Sequence, residues 1–134
     1  DPANHQHMIE VRARKVAGFA AELPPQVVEG PRQGRLLVLG WGGTYGALAT
    51  AVRRLWEVGQ PVALCHLRHL NPLPADLGEI LRRYDRVLVA ELNRGQLRAL
   101  VRAEYLVDAR GLNKFNGRPF AVAEVLEGIQ NALE

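Results

Sequence analysis

Residues 36–46 read Leu-Leu-Val-Leu-Gly-Trp-Gly-Gly-Thr-Tyr-Gly, and this stretch decides the fold of the chain. An unbroken apolar run of strand length leads into a turn that holds four glycines. Apolar residues at helical spacing follow the turn: Leu48, Val52, Leu55 and Trp56. The order of buried strand, glycine turn and helix predicts a βα unit.

The same glycines raise the question of a phosphate-binding turn. Gly40, Gly42 and Gly46 give the spacing G-x-G-x-x-x-G, whereas the dinucleotide fingerprint is G-x-G-x-x-G, with Tyr45 standing where its third glycine would fall. The next predicted strand also ends without the acidic residue that holds a ribose in that fold. We favour a structural turn, and we keep as the alternative a free-standing nucleotide-binding module that uses residues 40–44 as a phosphate cradle.

Strands and helices alternate along the rest of the chain. The patterns predict strands at 26–30, 36–39, 61–69, 86–92 and 105–108, and helices at 7–23, 44–58, 75–84, 95–104 and over the final segment that starts near 122. They indicate an α/β fold, a three-layer α/β/α sandwich around a five-stranded, mostly parallel sheet. The turn at 31–34 is too short for a crossover, so the first strand should be antiparallel to the others and near an edge. Strand 86–92 should lie inside the sheet.

Composition limits the functional classes. With 134 residues and 48% hydrophobic content, the chain suits one α/β domain over 25–134, preceded by a leading segment and helix over 1–24. Its single cysteine, Cys65, excludes a disulfide framework, a thiolate zinc cluster and an iron–sulfur site. No apolar run reaches the roughly 20 residues that span a bilayer, so we expect a soluble cytoplasmic protein. The net charge is +3, but the arginines fall in small groups on different helices, so we expect no nucleic-acid partner.

The most informative residues fall where the parallel strands are predicted to end. Ligands and partners of such sheets meet the carboxyl ends of the strands. Here those ends are residues 41–44, 66–71, 91–96 and 110–114. They should form one edge of the domain.

Histidines offer little support for a metal site. His66 and His69 are three residues apart, and on a strand this spacing directs them to opposite faces. We expect them to form hydrogen bonds or line an interface. His5 and His7 lie in the leading segment without nearby ligands.

Glu91 ends a buried strand, and two interpretations remain open for it. It could act as an acid–base catalyst, with Asn93 and Gln96 nearby. Alternatively, Asn93 caps the following helix, Gln96 supports that cap and Glu91 pairs with Arg94. We favour capping.

Nucleophilic catalysis finds no support in the sequence. Cys65 lies in the middle of a predicted buried strand. Thr44 is not part of a nucleophile-elbow motif, and no catalytic triad can be recognised around it. We therefore predict no catalytic, cofactor-binding or metal-binding residue in this chain.

Taken together, six stretches resemble the C-terminal domain of the alpha subunit of 2-oxoacid:ferredoxin oxidoreductases, nearest to the 2-oxoglutarate enzyme. They are Asp-Pro-Ala-Asn-His-Gln at 1–6, Gly-Trp-Gly-Gly-Thr-Tyr-Gly-Ala at 40–47, His-Leu-Arg-His-Leu-Asn-Pro-Leu-Pro at 66–74, Glu-Leu-Asn-Arg-Gly-Gln-Leu at 91–97, Tyr-Leu-Val-Asp at 105–108 and Gly-Leu-Asn-Lys at 111–114. They follow one another in order over nearly the whole chain. The resemblance implies a fold similar to the transketolase C-terminal domain.

The resemblance also implies a reaction and partners for the whole complex. Such enzymes oxidatively decarboxylate a 2-oxoacid on thiamine diphosphate and Mg²⁺, transfer the acyl group to coenzyme A, and pass electrons through iron–sulfur clusters to ferredoxin. The cofactor is held largely by the beta subunit and an earlier alpha domain, so this domain is expected to be a supporting one, without a cofactor of its own, and inactive when isolated. Its partners would be the remaining alpha domains, the beta subunit, ferredoxin and further copies in a homo-oligomer.

The residues that we expect to face partners all lie in the predicted strand-exit loops. They are Trp41, Gly42, Gly43, Thr44, Tyr45, His69, Asn71, Glu91, Asn93, Arg94, Gln96, Asn113 and Lys114. Two departures from the family pattern fall in the same region: Gly43 stands where a small polar residue is expected, and Phe115-Asn116 replaces a more usual aliphatic or amide pair. The choice of 2-oxoacid therefore stays open.

Overall fold

The computed structural model describes residues 2–134, except for the side chains of Pro2, Ala13, Val16, Ala17, Phe19, Ala20 and Ala21. The elements, in chain order, are α1 (Pro2–Glu22), β1 (Val28–Glu29), β2 (Gly34–Trp41), a 3₁₀ turn (Gly42–Thr44), α2 (Tyr45–Glu57), β3 (Ala63–Leu67), α3 (Leu77–Leu81), β4 (Tyr84–Glu91), α4 (Gln96–Tyr105), β5 (Arg110–Asn113) and α5 (Val122–Leu133). The leading helix is present, but it begins at Pro2 and therefore before the predicted start at residue 7.

The five strands form one sheet in the order β1-β3-β2-β4-β5. β1 pairs antiparallel with β3, and all other pairs are parallel. This confirms the mostly parallel sheet with one antiparallel edge strand. β4 lies inside the sheet, as predicted, beside the central strand β2.

Alternating residues of β2 explain the three layers. Leu36 and Val38 pack on one face of the sheet against α2 and α5. Leu37 and Leu39 pack on the other face against α3 and α4. A strand buried on both faces is a continuous apolar run, as residues 36–39 are.

Two predicted boundaries are wrong. Residues 105–108 were expected to form the last strand, but Tyr105 ends α4 and the strand is Arg110–Asn113. Leu106 adopts a left-handed conformation with φ of 54° and its N–H donates to the Arg102 carbonyl, which closes the helix. The predicted helix at 75–84 is also too long, because α3 ends at Leu81 and Tyr84 already begins β4.

Gly40 determines how closely α2 approaches the sheet. A Cβ atom at this position would lie 3.0 Å from Thr44 Oγ1 and would also collide with Leu48 Cδ1. Leu48 is fully buried in the layer between the sheet and α2. The first glycine of the turn is therefore required for packing.

We predict that Gly40→Ala lowers the free energy of unfolding by about 1–3 kcal/mol, because the extra methyl group overpacks a filled core. Gly46→Ala is the matched control, since a Cβ atom there meets nothing within 4 Å. Inside a helix, that change should be neutral or stabilising by up to about 1 kcal/mol. Urea denaturation of the two variants would measure both effects, and equal midpoints would contradict the packing argument.

Candidate functional site

The carboxyl ends of the parallel strands lie together along one edge of the sheet. Gly40 pairs with His66 on one side and with Ala90 on the other, and Glu91 pairs with Asn113. The register thus brings together the loops that follow β2, β3, β4 and β5. We call residues 41–45, 66–71, 91–96 and 113–115 the carboxyl rim.

Glu91 is the buried charge of the carboxyl rim, with none of its surface exposed. Its Oε1 atom accepts hydrogen bonds from the Trp41 indole N–H at 2.9 Å and from the Leu97 backbone N–H at 2.6 Å. Its Oε2 atom accepts one from the Arg98 backbone N–H at 3.1 Å. The carboxylate thus lies at the first turn of α4, where it accepts N–H groups that the helix leaves free. The helix dipole stabilises a negative charge at this position.

The structure thus gives Glu91 a capping role of a different kind from the one expected. The predicted ion pair with Arg94 is absent among the described contacts, and the Arg94 guanidinium instead lies 5.6 Å from the centre of the Phe115 ring. Glu91 joins β4, α4 and the turn after β2.

Asn93 caps α4 as predicted. Its Oδ1 atom accepts from the Gly95 N–H at 2.7 Å and the Gln96 N–H at 3.0 Å. Gly95 adopts a positive φ of 106° at this cap. The Gln96 backbone, and not its side chain, is what supports the cap here.

Further hydrogen bonds fasten the loop after β5 to the loop after β4. The Asn113 amide donates to the Asn93 carbonyl at 2.9 Å, and the Lys114 N–H donates to the Glu91 carbonyl at 3.1 Å. The Lys114 ammonium forms an ion pair with Glu124 at 2.6 Å. Asn113 and Lys114 therefore hold the loops of the carboxyl rim in position.

The glycine turn is held internally. Gly42 has a positive φ of 67°, and the buried Thr44 hydroxyl donates to the Trp41 carbonyl at 2.9 Å. Gly42 and Gly43 are exposed at the surface of the turn. The Thr44 side chain thus bonds to the end of β2, which supports the interpretation of this turn as structural.

Tyr45 connects the start of α2 to the edge strand β1. Its hydroxyl donates to the Glu29 carboxylate at 2.8 Å, and Arg53 forms an ion pair with the same carboxylate at 3.2 Å. The hydrogen bond with Glu29 is the main cause that raises the pKa of Tyr45. Glu29 could not be identified from sequence, because its role depends on β1 lying beside β3.

His66 is a half-buried imidazole at the end of β3. Its ring meets that of Tyr45 edge-on, with the centroids 5.3 Å apart. Nε2 is buried, and no described residue forms a hydrogen bond with it. Burial lowers the pKa of His66, a hydrogen bond with the Gly42 backbone and the Glu29 charge work in the opposite direction, and Arg68 lowers it further.

His66 and His69 line the same groove, although the strand rule places them on opposite faces. The rule fails because β3 ends at Leu67 and His69 belongs to the following loop. Among the residues that the structure describes, no group of three or more His, Cys, Asp or Glu side chains is placed to hold a metal ion. Asn71 is exposed in the same loop.

The groove has a volume of about 850 Å³ and runs between the α1–β1 connection and the end of β3. Its walls are formed by Leu23, Pro24, Pro25, Gln26, Val27, Glu29, Tyr45, His66, Arg68 and His69. Arg68 was missed as a candidate. Its role could not be read from local spacing, because the groove joins it to residues 23–27, which are distant in the chain.

Cys65 is fully buried in β3, as predicted. Burial raises the pKa of its thiol to about 12. Because the thiolate is the nucleophilic form, this cysteine is unreactive near neutral pH. Over residues 2–134, no helix is long and apolar enough to cross a membrane.

Comparisons with known proteins agree with this geometry. No family model matches the sequence. The chain is 42% identical over 134 residues to the 2-oxoglutarate oxidoreductase subunit KorA of Mycobacterium tuberculosis, and the match covers 99% of this chain and 20% of that protein. The chain therefore spans about a fifth of the length of this curated relative.

Solved structures give the same picture. The 2-oxoglutarate:ferredoxin oxidoreductase of Magnetococcus marinus, solved with 2-oxoglutarate, coenzyme A and succinyl-CoA bound, matches 100% of this chain and 24% of its own at 27% identity, with a TM-score of 0.89. A split-gene transketolase matches 81% of this chain and 41% of its own at 18% identity and a TM-score of 0.63, which concerns the fold alone. These matches confirm both the transketolase-like fold and the resemblance to part of a 2-oxoacid:ferredoxin oxidoreductase alpha subunit.

We predict that Glu91→Gln lowers the free energy of unfolding by about 1–3 kcal/mol, because an amide leaves at least one buried N–H donor unsatisfied. Trp41 should report the change through its fluorescence, since its indole N–H donates to Glu91. Glu57→Gln, at an exposed position of α2, is the matched control and should leave stability unchanged. Equal unfolding midpoints for the two variants would refute the capping role.

We also predict a contribution of His66 to the pH dependence of stability. Its pKa in the folded chain lies below the ordinary value of about 6.5, so the unfolded chain binds the proton first as the pH falls. His66 should therefore destabilise the fold progressively as the pH falls below about 6.5.

Urea midpoints at about pH 7.5 and 5.5 would test this contribution. His66→Asn should show a smaller loss of stability on acidification than the parent chain, whereas His69→Asn, at an exposed position, should follow the parent. An unchanged acid slope in His66→Asn would contradict the prediction.

Proposed function

We propose that this chain is a non-catalytic supporting domain in the alpha subunit of a thiamine diphosphate-dependent 2-oxoacid:ferredoxin oxidoreductase. The complete enzyme would oxidatively decarboxylate 2-oxoglutarate or pyruvate, form the acyl-CoA and deliver electrons to ferredoxin. The main support is that the similarity to KorA covers nearly the whole chain but only a fifth of the relative. The Magnetococcus marinus enzyme, a 27% identical structural match, contains 2-oxoglutarate, coenzyme A and succinyl-CoA.

The proposal of a supporting role rests on how the carboxyl rim uses its polar groups. Glu91, Asn93, Thr44 and Asn113 all make hydrogen bonds within the domain. A general acid or nucleophile has to reach a substrate, and these side chains are directed into the fold. The rim therefore offers a fixed surface to neighbouring domains.

The cofactors implied for the complete enzyme do not fit the residues of this chain. Iron–sulfur clusters are held by several cysteine thiolates, and the chain has one cysteine, which is buried. Mg²⁺ prefers carboxylate and carbonyl oxygens, but the buried carboxylate of the rim already accepts three N–H groups. We propose that the other alpha domains and the beta subunit hold thiamine diphosphate, Mg²⁺ and the clusters.

Three apolar side chains are strongly exposed: Leu106 at 89%, Val27 at 75% and Phe115 at 63%. Apolar side chains that are exposed singly are common on protein surfaces, so they do not by themselves mark an interface. We propose that the remaining alpha domains, the beta subunit or a second copy contact the carboxyl rim, in a cytoplasmic complex.

The supporting role predicts that the 134-residue chain has no turnover alone. The assay would supply a 2-oxoacid, coenzyme A, thiamine diphosphate and Mg²⁺, with a viologen dye as electron acceptor. Adding the longer alpha chain and the beta subunit should give activity, and an alpha chain that lacks this region should fail to assemble with beta. Turnover by the isolated chain would overturn the proposal.

Rim variants in the longer alpha chain separate support from catalysis. Thr44→Val removes the hydroxyl that holds the glycine turn, so it should reduce the yield of assembled complex while the assembled fraction keeps its kcat. A large fall in kcat with normal assembly would instead place Thr44 in the chemistry. Calorimetry of the chain with nucleotides, NADPH and coenzyme A tests the alternative, and tight saturable nucleotide binding abolished by Gly43→Val would favour a nucleotide-binding module.

A further inference from the structure

The groove beside β3 differs from the rest of the carboxyl rim, because two of its polar side chains, His66 and Arg68, offer hydrogen-bonding groups without a partner among the described residues. Its volume of about 850 Å³ lies within the range of about 300–1,000 Å³ that small-molecule sites occupy. Proline and aliphatic side chains from 23–27 form one wall, and polar side chains from α2 and the end of β3 form the other. Such a mixture is typical of ligand sites.

His66 brings an unsatisfied nitrogen to this groove. Nε2 is buried without a partner among the described residues. A protonated imidazole donates from both of its ring nitrogens, so the protonated ring has a donor at Nε2 for an anion.

Arg68 brings an uncompensated positive charge. It is exposed at the groove, and no hydrogen bond or ion pair is recorded for it within residues 2–134. Its charge is close enough to lower the pKa of His66. An anion bound between the two side chains would satisfy Arg68 and would draw a proton onto His66.

Glu29, the acidic residue of the groove, is already paired and does not neutralise Arg68. The Glu29 carboxylate accepts the Tyr45 hydroxyl at both of its oxygens and forms an ion pair with Arg53. Of the charged groups that face His66, Glu29 is thus balanced by Arg53, while Arg68 remains unbalanced. His69 also lines the groove.

We infer that this groove binds a small molecule that carries a carboxylate or phosphate group. Arg68 supplies the opposite charge, the protonated His66 ring donates from Nε2, and the apolar wall at 23–27 receives the body of the ligand. The inference concerns the residues of this chain and holds whether or not the chain supports an oxidoreductase.

Nuclear magnetic resonance of the ¹⁵N-histidine-labelled chain tests the site directly. Inorganic phosphate and glutarate would be titrated in separate arms, at constant ionic strength maintained with sodium chloride. We expect the His66 ring resonances to shift saturably in at least one arm and the pKa of His66 to rise at saturation. The arm that saturates at the lower concentration identifies the anion as phosphate or carboxylate.

Three arginine variants decide whether the effect is specific. Arg68→Gln should weaken binding by roughly tenfold or more, because it removes a charge-assisted contact. Arg54→Gln makes the same change of charge at an exposed position of α2 outside the groove and should leave the affinity unchanged. Arg68→Lys, which keeps the charge, should retain part of the affinity.

Either of two results would overturn the inference. One is the absence of saturation in both arms. The other is an equal loss of affinity in Arg68→Gln and Arg54→Gln, which would show only general attraction of anions to a basic chain. Turnover assays of the assembled enzyme do not enter this test, so the site and the proposed function can fail separately.

Discussion

The hydrogen bonding of the buried Glu91 carboxylate is the interaction on which the carboxyl rim depends. One side chain accepts from the indole of Trp41, the last residue of β2, and from two backbone N–H groups in the first turn of α4. A buried charge is costly unless its hydrogen-bonding capacity is used, so loss of any one donor would leave the carboxylate less well satisfied. Because Glu91 also ends β4, this set of bonds fixes two loops and one helix relative to the sheet.

The two sides of the carboxyl rim differ as a result. In the loops after β4 and β5, Asn93, Asn113 and Lys114 form hydrogen bonds with groups of the same two loops. Few of their donors and acceptors are left for a ligand. Beside β3, Arg68 and Nε2 of His66 have no hydrogen-bond partner within the part of the chain that the structure describes. A matched surface suits contact with another protein surface, whereas unmatched groups suit a ligand that supplies their partners.

Much of the fold could be predicted from sequence because it follows from local patterns. The apolar run at 36–39 predicted a buried strand, and the short turn at 31–34 predicted the antiparallel edge strand. The position of β5 could not be predicted, because Tyr105 to Asp108 has the composition of a strand while Gly111 weakens the pattern of the real one. Asn93 could be predicted as a cap because its partners lie two and three residues away.

The contacts of Glu91 and the role of Arg68 were missed for a common physical reason. Glu91 meets its partners only because the strand, the turn and the helix converge, and Trp41 is 50 residues distant in the chain. Arg68 lines a groove whose opposite wall comes from residues 23–27, which depends on β1 pairing with β3. Spacing along the sequence reports local geometry and cannot report such convergence.

Leu106 shows how the fold and the proposed assembly are connected. A leucine in the left-handed conformation costs about 1–2 kcal/mol, and its side chain is 89% exposed. The conformation is required because α4 ends at Tyr105, whose ring packs closely over Gly78, and the chain must enter β5 at Arg110. The backbone requirement explains the turn but not the apolar side chain, since a polar residue or glycine would serve a solvent-exposed turn better. An apolar side chain at this position is the choice expected if a neighbouring domain covers the end of α4.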